Sequence, residues 1–101
     1  MKSKYEIEMD FSETISQAEE LEEISKGLSR MACNSMPGVL DILAAAWKGE
    51  NAVGYISKGC NLATDILNVA EKLMKMADEM RYTANIVYKA EIAAISCISD
   101  Y

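Results

Sequence analysis

Ala45-Ala46-Trp47-Lys48-Gly49-Glu50-Asn51 is the stretch on which the fold turns. It separates two long segments whose apolar residues recur at helical spacing. Gly49 suits the left-handed residue that ends a helix, and Asn51 suits the cap of the next one. A connection this short makes the helices it joins antiparallel neighbours. The expected fold class is therefore all-α, an antiparallel two-helix hairpin in one domain spanning residues 1–101, with its turn at 47–50.

Upstream of the turn, Phe11, Ile15, Ala18, Leu21, Leu28, Met31, Val39, Ile42 and Ala46 follow three- and four-residue steps. Polar residues fall between them, as in an amphipathic helix. This predicts a first helix over about 10–46, capped by Asp10 or Ser12. Met36-Pro37-Gly38 interrupts it. Proline removes a backbone donor and clashes one turn back, so a kink or brief break is expected near 34–38. Ser35 or Asn34 would then recap a short helix from Pro37 to Trp47. Downstream, Ala52, Ile56, Gly59, Ala63, Ile66, Ala70, Leu73, Ala77, Met80, Ala84, Val87 and Ala94 keep close to heptad spacing. A second helix over about 51–96 follows.

Composition narrows the chemistry. The 101 residues hold 16 acids, 10 bases and no histidine, for a formal charge of −6. Without histidine, Ser-His-Asp and Cys-His catalysis and histidine zinc sites are excluded. The acidity argues against nucleic acid, which needs clustered lysine and arginine, and against an anionic membrane surface. Residues 1–46 carry nine acids and four bases, whereas 47–101 carry seven and six. The densest run, Glu19, Glu20, Glu22 and Glu23, reads as a solvated helix face. The first helix is thus expected to face water, leaving the second as the binding surface. Cys33, Cys60 and Cys97 form no C-x-x-C pair and read as small buried apolar residues. The first ten residues mix charges and lack the apolar core of a Sec signal peptide. No stretch reaches 18 uncharged apolar residues, so no membrane insertion is expected. No metal, cofactor or catalysis is expected either.

Half of the chain is apolar, which is more than one hairpin seam requires. Tyr55, Leu62, Leu67, Val69, Met74, Met76, Tyr88, Ile92, Ile95 and Ile98 flank the seam of the second helix, and Met9, Ile24, Met36, Leu40 and Leu43 flank that of the first. Left bare, such residues form patches larger than monomers usually show. Association into a four-helix bundle dimer is the expected remedy, and seven methionines fit an adaptable interface.

Trp47-Lys48-Gly49 at a mid-chain turn, preceded by Leu43-Ala44-Ala45-Ala46 and followed by Glu50-Asn51-Ala52 and the ring of Tyr55, resembles the WXG family. These are the small early-secretory-antigenic-target-like proteins of type VII secretion systems. Leu73, Met80, Ala84 and Tyr88 fall where members keep apolar residues and a tyrosine. The resemblance covers residues 9–88. It implies a dimeric helical hairpin, made in the cytoplasm and exported folded, without a Sec signal peptide, through a membrane complex with a hexameric ATPase. Such proteins are secreted substrates or partners of toxins and effectors in virulence or interbacterial competition, and are not enzymes.

In the family, the Trp-x-Gly of one subunit and a Tyr-x-x-x-Asp/Glu of its partner form a composite export signal. Trp47 and Gly49 match the first half. The second is degenerate here, because Tyr82 and Tyr88 are followed four residues on by Ile86 and Ile92, and Tyr88 has Glu91 only at a spacing of three. The partner is then expected to be another helical hairpin, either a related small protein or the N-terminal helical domain of a toxin, ahead of a homodimer. The expected interface is Tyr55, Leu62, Ile66, Leu73, Met76, Met80 and Val87. The competing reading is a cytoplasmic helical adaptor or structural coiled-coil subunit with no export role.

Overall fold

A computed structural model of the chain describes residues 1–47 and 50–99, and among them there is no strand. Helix α1 spans Lys4–Arg30, a π-helical turn spans Met31–Ser35, α2 spans Met36–Ala46 and α3 spans Glu50–Ser99. The expected all-helical class is observed, with two long helical stretches and no β-structure. Gly49, expected at the turn, lies outside the described residues, and Asn51 falls inside the first turn of α3.

The helix at the amino end starts earlier than Asp10 or Ser12. Ser3 caps it instead: its Oγ accepts the Glu6 N–H at 3.1 Å, and the Ile7 N–H donates to the Ser3 carbonyl at 3.0 Å. Ser3 and Glu6 stand at capping-box spacing. The added turn places Ile7, almost fully buried, in the packing.

The chain divides into two compact units, residues 1–22 with 74–101 (unit 1) and residues 23–73 (unit 2). In unit 1, Phe11 meets Tyr88 and Glu22 meets Arg81. In unit 2, Ser25 meets Ala70 and Trp47 meets Tyr55. Within each unit, rising numbers on one strand of the pair meet falling numbers on the other, so the paired segments are antiparallel.

Small residues make the seam. In unit 1, Ala18 on one side and Ala77 and Ala84 on the other are buried; in unit 2, Ser25 and Ala32 on one side and Ala70 on the other; along the sequence of each helical stretch these positions stand seven apart. Ala52 is buried as well. Among the described residues no large side chain is fully buried. Alanine at these positions lets two backbones approach closely. The approach is close enough in unit 2 for the Ser25 hydroxyl to donate to the Ala70 carbonyl at 2.6 Å. Leu40 packs over Gly59 so tightly that a Cβ there would lie 2.5 Å from Leu40 Cδ2. A larger residue at 59 would have to displace the end of the Leu40 side chain.

Of the kink or break expected near 34–38, a break in the helical run does not occur. The helix instead widens for one turn, with the Met36 N–H bonded to the Met31 carbonyl five residues back. Ser35 keeps right-handed helical angles and makes no side-chain cap. The wide turn lies directly before Pro37, whose ring would crowd the Cys33 carbonyl in an unbroken α-helix. A π-turn takes up one extra residue, and every later residue turns by about 100°. That is why Val39, Ile42 and Ala46, expected inside, are exposed; Met31 is exposed for another reason, because Ala32, seven residues after Ser25, takes the inner position. Ala32 is buried, and Met36, Leu40 and Leu43 are half-buried in their place.

A milder shift occurs on α3. The predicted positions hold from Ala52 to Ala84, each buried or half-buried. Beyond them Val87 and Ala94 lie outside, while Tyr88, Ile92 and Ile95, expected on the flanks, are half-buried together with Glu91. Two successive four-residue steps, Met80 to Ala84 to Tyr88, follow the 3.6-residue turn of a straight helix and depart from the strict heptad.

Two outcomes follow. Ala77→Leu overfills the seam and should destabilise the protein by about 1–3 kcal/mol, read as a lower melting temperature by circular dichroism; an unchanged melt contradicts the close seam. Deleting Asn34 together with Pro37→Ala restores an unbroken heptad from Ser25 to Leu43. That variant should stay helical and melt at or above the parent temperature, whereas loss of cooperative melting contradicts the single-residue insertion.

Candidate interaction surface

The seam consumes alanines and leaves the large apolar side chains outside. In unit 2, Ile24, Met31, Val39 and Ile42 are exposed on the α1–α2 side, and Val53, Tyr55, Leu62, Leu67 and Val69 on α3. Ile42, a residue the periodicity places inside, is 71% exposed. Ile24, Met31, Val39 and Ile42 each stand one position before a seam residue, as do Tyr55, Leu62 and Val69. In an antiparallel pair, reversing the helix direction and facing the partner each reverse the sense of rotation. The two sets consequently fall on one side of the pair. One broad, apolar face of unit 2 results.

Trp47 closes α2. Its N–H donates to the Leu43 carbonyl at 2.9 Å, and its backbone is extended (φ −124°, ψ 108°). The indole stacks on Tyr55, with ring centroids 5.2 Å apart and planes 24° apart, and remains 43% exposed. The Lys58 ammonium lies over the Tyr55 ring, 5.7 Å from its centroid, within cation–π range. The indole thus covers the corner and still presents a face to the outside.

The residues expected at the interface divide into open and inward ones. In unit 2, Tyr55 and Leu62 are open, whereas Ile66 and Leu73 are half-buried at the seam. In unit 1, Met76 and Val87 are open and Met80 is half-buried. Tyr88 is packed on Phe11, ring centroids 4.7 Å apart, and Glu91 is half-buried beside it. Cys33, Cys60 and Cys97, expected buried, are all exposed. Alanine, serine and glycine occupy the small seam positions, so the cysteines sit outside them.

Unit 1 carries a groove of about 530 Å³ between the start of α1 and the later part of α3. Its floor is Phe11, Met76, Met80, Val87 and Tyr88, and its rim includes Asp10, Glu79 and Glu91. Lys2, a basic residue on the rim, pairs with Asp10 at 2.7 Å. The hydrogen bond and charge of Asp10, with Glu91 and Glu6 adding to it, hold the Lys2 ammonium above the ordinary lysine range. Beneath the acidic stretch of α1, Arg81 donates to Glu22 at 2.6 Å and to Asp78 at 3.3 Å. Glu22 is half-buried by this pairing, while Glu19, Glu20 and Glu23 face water.

No buried side-chain polar atom lacks a partner and no cluster of metal-ligating residues occurs among the described residues. Among the same residues, no helix is long and apolar enough to cross a membrane. The seam hydrogen bond of Ser25 and the exposure of Val39 and Ile42 were beyond sequence reasoning. Ser25 does stand seven residues from Ala18 and Ala32, which is the signal that marks it as inward. No known protein family, curated protein or solved structure matches this chain.

Proposed function

We propose that this protein is a small type VII secretion substrate, or the partner of an exported effector or toxin, that acts by pairing its helices with another helical hairpin and performs no catalysis. The observation that carries the reading is the composition of the seam. A buried alanine contributes about 0.8 kcal/mol, whereas a fully buried leucine contributes about 1.5–3 kcal/mol. This chain buries the former and leaves much of the latter in water.

Export rests on the resemblance at Trp47 and on the exposed, Tyr55-stacked indole, a feature that folding alone does not require to be open. The partner is a related small protein or the helical N-terminal domain of a toxin, in preference to a second copy. Tyr88 and Glu91 supply only a degenerate second half of an export signal, so a partner completes it for the secretion ATPase. The reading as a cytoplasmic adaptor shares the pairing but not the role of Trp47.

Trp47→Ala separates the two. Export from the native host should fall to background while helicity and pairing persist; export at the parent level contradicts a secretory role. Leu62→Glu with Val69→Glu should abolish pairing at unchanged helicity, since both side chains are exposed in the chain alone.

A further inference from the structure

The net charge belongs to one unit. Residues 1–22 and 74–101 hold eleven acids and five bases, whereas residues 23–73 hold five of each. Unit 1 therefore carries the whole −6, and unit 2 is neutral. The groove lies in the charged unit. Its floor is apolar, yet Glu79 and Glu91 stand on its rim, and the ammonium of Lys2 is already engaged by Asp10. From Met76 to Val87 the floor follows about 16 Å of α3, roughly three turns of a third helix laid alongside.

We propose that this groove receives a basic amphipathic helix. Leucine- or methionine-sized side chains at i, i+3 or i+4, and i+7 enter the floor, in the manner of helix-in-groove recognition. Lysine or arginine at its two ends meets Glu79 and Glu91. A second copy of this chain fits poorly, because the segments it would bring to an acidic unit are either equally acidic or neutral, and like charges across an interface oppose association. The inference stands on the groove and its charge, and is independent of export.

The probe is an 18-residue peptide of leucine and lysine with leucines at helical spacing, compared with its leucine–glutamate twin. Binding is followed by calorimetry and by amide chemical shifts of the full-length protein. The lysine peptide should bind at least about tenfold more tightly than the twin, with shifts at Phe11, Ala84 and Tyr88. Glu79→Lys with Glu91→Lys should weaken it about tenfold or more. Asp41→Lys with Asp65→Lys makes the same charge change in unit 2 and should leave affinity within about twofold. Glu79, Asp41 and Asp65 are exposed and Glu91 is half-buried, and circular dichroism verifies the folding of both pairs. Equal affinity for the two peptides, equal weakening by both variant pairs, or shifts centred on Leu62 and Val69 would overturn the proposal. Self-association strengthened by Glu79→Lys with Glu91→Lys would assign the groove to a second copy and overturn it too.

Discussion

Close contact through alanine is the constraint from which the other features follow. Ser25 reaches the Ala70 carbonyl at 2.6 Å, and Leu40 fills the space that a side chain at Gly59 would take. Such geometry favours small residues at the closest approaches, with Leu40, Leu43, Ile66 and Leu73 half-buried between them. Larger apolar side chains are then displaced to the flanks, where water is their neighbour unless another molecule supplies one. Packing inside the chain and stickiness outside it are thus two consequences of one choice of residue.

The π-turn acts on the same balance. By taking up one residue before Pro37, it keeps Leu40 and Leu43 against α3 and rotates Val39 and Ile42 outward. Without it, the apolar residues of α2 would be shared differently between seam and surface. The outward set lies on the side that also presents Tyr55, Leu62 and Val69. Trp47, stacked on Tyr55, stands at one end of that face. The neutral unit thereby gains apolar area, while the acidic unit has a groove rimmed with carboxylates.

Much of this architecture is legible in the sequence. The inward positions of α3 from Ala52 to Ala84 follow directly from heptad spacing, and the antiparallel pairing follows from the short Trp47 connection. The failures have local causes. Periodicity counts residues evenly and does not register a turn that holds one extra, so it places Val39 and Ile42 inside, and at Met31 it takes a three-residue step where Ala32 fits the spacing from Ser25. Proline signals a break, yet a wide turn accommodates it as well. Ser3 and Glu6 carried a capping signal that the charged first ten residues obscured. The cysteines appear inward by residue type, but alanine had already occupied the small sites. Of the candidate surface, Tyr55, Leu62 and Met76 are open as their flanking positions suggest, whereas Val87 is open although heptad spacing puts it on the seam. The groove of unit 1 depends on the Phe11–Tyr88 contact, which no spacing rule reveals.

The most direct measurement is native mass spectrometry of the protein purified from its own host. A complex heavier than the 11.1 kDa chain, with a second helical protein as its other component, is the predicted result. A monodisperse 11.1 kDa monomer at micromolar concentration contradicts the claim that the displaced apolar side chains are covered by a partner.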